Sequence, residues 1–226
     1  MILERRYRIV STIFADRKGW GKLLDIGCGN GAQTRLFRSG ASRIVGLDIL
    51  PLPEAEGAVA RESFDFIRGE AAHLPFGTEV FDSVTAFEVL EHLPDDHQAV
   101  IEATRLLKPG GVFIFTVPNK WWIFETHGAV LPGLNWIPWN RLPFLGWLPT
   151  QLHERIARAR TYTMHRALDL LRNTGLVSVQ HSYITAPLDV LPDCALRSLL
   201  RWSVFRRDVT RNPLLAVNLF IAARKG

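Results

Sequence analysis

The segment LLDIGCGNGAQTRLF (23–37) decides how this chain is read. KLLDIG (22–27) is an apolar run that reaches Asp25 and reads as a buried strand. Gly27, Gly29 and Gly31 then let the backbone turn sharply and come close to a ligand, before GAQTRLFRSG (31–40), which reads as a helix stopping at Gly40. Gly27-x-Gly29-x-x-Ala32 also satisfies the dinucleotide fingerprint G-x-G-x-x-G/A, and a purely structural tight turn accounts for a lone match about as often as a nucleotide site does. Two carboxylates tilt the choice. Asp25, just before the glycines, adds negative charge where a pyrophosphate would lie and suits a ligand with an ammonium or hydroxyls. Asp48, 17 residues after Gly31 at the end of the next strand, can accept hydrogen bonds from both hydroxyls of an adenosine ribose. An isolated Asp is more often an ordinary capping carboxylate, but in register with a glycine loop the ligand reading is the better one.

Outward from this segment, short β-branched runs alternate with helical stretches, the pattern of a parallel sheet with crossover helices. SRIVGLDI (42–49), SFDFIRGE (63–70) and FDSVTAFEVL (81–90) read as strands two to four. DDHQAVIEATRLLKPGG (95–111) reads as a helix with Pro109-Gly110-Gly111 as its stop, and GVFIFTVP (111–118) is a nearly all-apolar, central fifth strand. Beyond Pro118 the alternation breaks. Residues 119–150 hold five tryptophans among too many prolines for one helix, and read as an irregular or broken-helix insertion. TYTMHRALDLLRNTGL (161–176) recovers a helical period, VSVQHSYI (177–184) and LLAVNLFIAARK (214–225) read as strands, and LRSLLRWSVFRR (196–207) between them as a helix.

The chain has 226 residues, 47% hydrophobic and 22% charged, which are globular proportions with ample length for a core. Its net charge of +5 is unevenly divided: −3 over residues 1–118, +6 over 119–213 and +2 at the end. Six of the seven tryptophans also fall in 119–213. Cys28 and Cys194 cannot make a disulfide scaffold, and no C-x-x-C or His-rich spacing marks a metal site. A reducing, cytoplasmic setting is expected. The first twenty residues are interrupted by charge too often for a signal peptide, and no uncharged apolar run reaches about 18 residues.

Taken in order, the motifs resemble the class I S-adenosylmethionine-dependent methyltransferases, in particular the subgroup that includes ubiquinone and menaquinone biosynthesis enzymes. LLDIGCGNG is similar to that family's first motif and GLDIL to its second. GEAAHLPF (69–76) resembles its G-D-A-x-x-L-P-F signature, with Glu70 where Asp is more usual. FDSVTAFEVLEHL and RLLKPGGVFIFTVPN resemble its fourth- and fifth-strand motifs. The resemblance covers residues 20–118 most strongly. It implies an α/β fold: a Rossmann-like, doubly wound, mostly parallel sheet with an antiparallel last strand. The expected layout is a single domain over 1–226, with 119–160 and 185–213 as insertions or lid. It implies S-adenosylmethionine as cofactor and S-adenosylhomocysteine as product. Around the cofactor it places Asp25, Gly27, Cys28, Gly29 and Gly31 (Cys28 as a small filler), Asp48 with Ile49 on the ribose, Glu70 with Ala71 at the adenine, and Phe87 with Glu88 along the methionine moiety.

Methyl transfer from a sulfonium mainly requires the acceptor held in line with the S–CH3 bond, and orientation can supply about 7–11 kcal/mol. If the acceptor must lose a proton, His127, in FETHG beyond the fifth strand, is the first candidate base and His92 the second; a structural role is at least as common for such histidines. Three readings compete for the second half. One is a lid that walls a pocket for a small or lipid-like hydrophobic acceptor with Trp121, Trp122 and Trp136. Another is a membrane-surface helix carrying Leu196, Leu199 and Leu200 beside Arg197, Arg201 and Arg206-Arg207. RNA ranks third, because the basic residues are dispersed and no base-methylation tetrapeptide of the N-P-P-Y kind is present. Solvated arginines and a satellite aromatic core form the plain alternative. A cofactor-binding partner protein without turnover is the reading from a different class.

Overall fold

In the computed structural model, which describes residues 2–14, 19–51, 64–130, 143–189 and 192–226, eight strands form one sheet. They are β1 (Gly21–Ile26), β2 (Ala41–Asp48), β3 (Asp65–Arg68), β4 (Phe81–Phe87), β5 (Leu107–Pro118), β6 (Leu176–Thr185), β7 (Val209–Thr210) and β8 (Ala216–Lys225). The spatial order is β3-β2-β1-β4-β5-β8-β6-β7. Strands β1 to β5 run parallel, whereas β8 is antiparallel to both β5 and β6. The two-residue edge strand β7 has no counterpart in the sequence reading.

The central parallel strands β1, β4 and β5 are buried on both faces, which is why they read as largely apolar runs, whereas the edge strand β3 has no buried residue. On one face Leu24, Val84, Phe113, Phe115 and Ile221 pack under helices α2 (Asp96–Leu106) and α4 (Met164–Asp169), the latter following the short helix α3 (Thr150–Ile156). Asp95 caps α2 by accepting from the Gln98 N–H, and Ala99, Val100, Ala103 and Leu106 face the sheet at helical spacing. On the other face Leu23, Ile44, Val112 and Phe220 meet α1 (Ile2–Ile13), which contributes Ile9 and Val10. Burial of a side chain of that size stabilises by about 1.5–3 kcal/mol.

The sequence reading departs from the structure at residues 31–40. In place of a helix there is one 3-10 turn, Thr34–Phe37. The Thr34 hydroxyl is tied to Asp25 and the Phe37 ring lies 5.0 Å from Trp20, so fixed anchors at both ends of the turn outweigh helical propensity. The helix expected over 161–176 is likewise shortened to α4.

Because β2 and β3 lie on one side of β1, and β4 and β5 on the other, the chain reverses its direction of progress between β1 and β4. Ligands in open α/β sheets bind outside the carboxyl ends of the strands at such a switch point. Ile26, Leu47 and Ala86 are aligned in register there, next to Asp48 and Phe87.

Candidate active site

The glycine loop leaves β1 at this switch point. Gly27 has φ +70° and donates its N–H to the Leu47 carbonyl at 2.7 Å; a Cβ there would lie 2.2 Å from Val89 Cγ2. Gly29 differs. Its φ is +52°, yet a Cβ on it would meet nothing within 4 Å, so the loop has an open face above Gly29.

Asp48 stands beside that face. Its Oδ2 accepts from the Gly29 N–H at 2.8 Å and its Oδ1 from the Leu50 N–H at 3.0 Å. Each oxygen keeps a further lone pair, which is the acceptor pair that two ribose hydroxyls require. Ile49 is exposed next to it, and its carbonyl accepts from Arg68 Nε. Glu70 is exposed beyond β3, bridged to the exposed His73, and Ala71 is buried beneath it. The glycines, Asp48, Ile49 and Glu70 thus share one end of the sheet.

Asp25 is placed differently from the sequence reading. Its carboxylate is buried beneath the loop, where Oδ2 accepts from Thr34 Oγ1 at 2.5 Å and Oδ1 from Thr85 Oγ1 at 2.7 Å. Burial raises its carboxyl from 3.8 to about 6, against the lowering effect of the two hydroxyls. Asp25 therefore braces the loop from below and does not offer its oxygens to the open face. Cys28 is also buried, and burial pushes its thiol well above the ordinary range, which leaves it a filler and no nucleophile.

At the end of β4 Phe87 stacks on Phe37 at 6.0 Å. Glu88, at φ +57°, is held from three sides. Thr116 Oγ1 donates to its Oε1 at 2.9 Å, Asn218 Nδ2 to its Oε2 at 2.8 Å, and Arg6 of α1 pairs with Oε1 at 3.1 Å. Arg6 and Asn218 thus close the far wall of the strand-end crevice. Sequence reasoning passed over Arg6, since an arginine in a charged helix carries no sign of burial.

One turn further on, the fold gathers Glu91, His92 and His127. The Glu91 side chain is completely buried, and among the described residues neither carboxylate oxygen has a hydrogen-bond partner. Burial, and then the Glu88 carboxylate, hold its carboxyl well above the usual carboxylate range. His127 Nε2 lies 3.5 Å and His92 Nε2 4.0 Å from Glu91 Oε1, and the two imidazole rings meet edge to face at 4.9 Å. Burial holds the His127 imidazole below its ordinary value. The His127 loop is itself anchored: Glu125 accepts from the N–H groups of Thr126 and His127, and its other oxygen meets the buried His153 Nε2 at 2.8 Å. A cleft of about 340 Å³ opens onto Glu91 and His92 and is walled by Glu154, Arg158 and Arg160. The sequence reading had both histidines but neither their meeting nor Glu91; the adjacent Glu91-His92 pair was the one local sign.

The tryptophans separate. Trp122 is buried in a small core with Ala186, Leu188 and Phe205, so it does not wall an open pocket as the sequence reading expected. Trp121 is 39% exposed and meets Trp147, which in turn meets Phe144 at 4.9 Å; all three rings are partly open to solvent. Trp136 lies outside the described residues. On helix α5 (Ala195–Trp202), Arg197 and Arg201 are paired with Asp193 and Asp189.

Comparison with known proteins fits this geometry. Residues 24–115 match the family described as Methyltransferase domain. Over 116 residues the chain is 36% identical to a probable S-adenosylmethionine-dependent methyltransferase of Mycolicibacterium smegmatis, covering 51% of this chain and 45% of that protein. Over 200 residues it is 27% identical to a ubiquinone biosynthesis O-methyltransferase of Cereibacter sphaeroides, covering 86% of this chain and 72% of that one. The chain thus spans under half the length of the first relative and about seven tenths of the second. A crystal structure of an S-adenosylmethionine-dependent methyltransferase from Mesorhizobium loti superposes with a TM-score of 0.63 at 19% identity over 98% of both chains, which speaks for the fold. Glycine loop, strand-end carboxylate and sheet order agree with the sequence match, so that residues 24–115 are similar to methyltransferase domains of the class I, S-adenosylmethionine-dependent kind.

Proposed function

We propose that this protein transfers a methyl group from S-adenosylmethionine to the oxygen of a small or lipid-like hydrophobic acceptor. The observation that carries the cofactor half is the Asp48 carboxylate held beside the open face of Gly29. That pairing fits a nucleoside with free ribose hydroxyls. The cofactor supplies a methyl group on a sulfonium, which leaves as a neutral thioether. The residues of this chain bind and orient. The Gly27–Gly31 backbone lies against the ligand, Asp48 fixes the ribose with Ile49 alongside, and Glu70 and Ala71 border the adenine side. Phe87 and the Glu88–Arg6–Asn218 group bound the crevice where the reacting carbon lies. In a cation-free site His127, and after it His92, are the groups placed to take a hydroxyl proton.

The acceptor half rests on the open rings of Trp121, Phe144 and Trp147, which offer apolar surface to a hydrophobic molecule. Similarity to proteins named ubiquinone biosynthesis O-methyltransferase supports an oxygen acceptor of lipid-like character. Helix α5 adds a route to such a molecule: Leu196, Leu199 and Trp202 are exposed on it, with Arg206 and Arg207 exposed just beyond. Such a helix lies readily on an anionic lipid surface. Among the described residues no helix is long and apolar enough to cross a membrane.

Calorimetry with S-adenosylmethionine, S-adenosylhomocysteine and NADH tests the cofactor half. The first two bind wild type and lose affinity by more than a hundredfold in Gly29→Val, whose side chain would fill the open face; tighter binding of NADH overturns the reading. Mass spectrometry of lipid and metabolite extracts incubated with labelled S-adenosylmethionine tests the acceptor, and label confined to RNA overturns that half.

A further inference from the structure

We propose that Glu91, His92 and His127 form a binding site for a first-row divalent transition cation. Two imidazole nitrogens and one carboxylate oxygen of these residues all lie within 4.8 Å of one another. This donor set suits manganese, iron, cobalt or zinc better than magnesium or calcium, which prefer oxygen throughout. Ligands about 2.1 Å from a tetrahedral centre stand about 3.4 Å apart. His127 Nε2 and Glu91 Oε1 already stand 3.5 Å apart, and the half-exposed His92 needs only a small side-chain rotation to close its 4.0 Å.

A second, independent observation points to a ligand. The Glu91 side chain is entirely buried and, among the described residues, both oxygens lack a hydrogen-bond donor, although nearly every buried polar group in a folded protein has a partner. Burying a carboxylate without a partner is costly, and a cation between it and two imidazoles supplies the partner. The two arginines that act on the Glu91 carboxyl are already committed. Arg6 pairs with Glu88, and Arg160 is engaged by Asp96 and by the carbonyls of Leu93 and Pro94.

The surrounding groups orient the ligands. His127 Nδ1 meets Thr126 Oγ1 at 3.0 Å, which leaves Nε2 for the cation, and Glu125 and His153 hold the loop below. Three protein ligands leave further coordination positions, and the cleft at Glu91 and His92 connects them with solvent. A hydroxyl-bearing molecule entering that cleft would fill one of them. With the cation bound, His92 and His127 are ligands and no longer proton acceptors. The cation site does not depend on methyl transfer.

Untagged protein, stripped with a chelator, is titrated with MnCl2 while the free Mn2+ signal is followed by electron paramagnetic resonance, and ZnCl2 is tested as competitor. One Mn2+ per chain is expected, displaced by Zn2+, with at least tenfold weaker binding in Glu91→Gln and His127→Ala and unchanged binding in His165→Ala, an exposed histidine elsewhere. If a melting curve shows that Glu91→Gln does not fold, His92→Ala, altered at a partly exposed side chain, carries the same comparison. Wild type that binds neither cation, or variants that bind as well as wild type, overturn the proposal. S-adenosylmethionine calorimetry on the same samples keeps the two readings apart, since lost cofactor binding counts against the proposed function and leaves the cation result standing.

Discussion

The strand-end crevice of residues 21–118 and the segment that follows it, 119–213, are built on different terms. In the first, each chemistry-bearing group is set by a strand end: Gly27 follows β1, Asp48 ends β2, and Glu88 follows β4. In the second, Trp121, Trp122 and Phe205 lie outside the helices and strands. Adjacent Trp121 and Trp122 have opposite fates, one partly open beside Trp147 and the other buried against Phe205. The segment is nonetheless fastened to the first half, because Arg5 of α1 donates to the carbonyls of Thr185, Phe205 and Arg207, and Arg8 grips Asp208 through two bonds of 2.7 Å. A crevice built on a sheet tolerates a neighbour of irregular structure when that neighbour is tied down by carbonyl-seeking arginines. Position in the second half follows from such contacts and not from local pattern.

The comparison predicts which residues are scaffold and which are surface. The largest effect is expected at Trp122→Ala, which empties the small core of the second half and should lower stability by about 3–5 kcal/mol while cofactor affinity stays near wild type. Chemical denaturation beside calorimetry checks it, and a variant as stable as wild type would show that the second half has no core of its own.

Next comes Asp25, the buried brace of the first half. Its carboxyl is raised from 3.8 to about 6, so the folded chain holds a proton that the unfolded chain has lost between those values. Stability contributed by this group is therefore full near pH 4 and falls as pH rises through about 6, by about 3 kcal/mol in all. Asp25→Asn removes the titration. The melting temperature of the variant relative to wild type should climb from pH 4 to pH 7, and a constant difference would refute the buried placement.

Smaller is the expected loss at Asp48→Ala, where cofactor binding should weaken more than tenfold as charge-assisted hydrogen bonds of about 1.5–3 kcal/mol each are lost and partly replaced by water. The fold should survive, because among the described residues Asp48 holds just the amides of Gly29 and Leu50. An unchanged dissociation constant would remove Asp48 from the ribose. Smallest is Trp121→Ala, expected to lower methyl transfer about fivefold with cofactor affinity unchanged, as for a residue that touches only the acceptor. Equal loss of both would make Trp121 part of the scaffold, like its neighbour.

Strands β1, β4 and β5 were legible because a parallel strand buried on both faces must be largely apolar, as over residues 112–117. The Gly27–Gly31 loop and Asp48 were legible for a related reason: a tight turn needs glycine, and a carboxylate 17 residues on returns to the same sheet edge. The 31–40 segment was misread because its helical pattern carried no mark of the Thr34 and Phe37 anchors.

Local chemistry along the chain settles a strand, a glycine turn or a cap, since each depends on residues within one element. Burial of a charge, by contrast, depends on what packs over it from elsewhere. Glu91 lies in the 3-10 turn Leu90–His92 and would read as solvent-facing; it is buried because the His127 loop, the 156–160 segment and Arg6 close around it. The same holds for Arg6, Asp25 and Trp122, whose neighbours come from distant parts of the chain. Conformational preference is short-ranged, whereas exclusion of water is a property of the assembled surfaces.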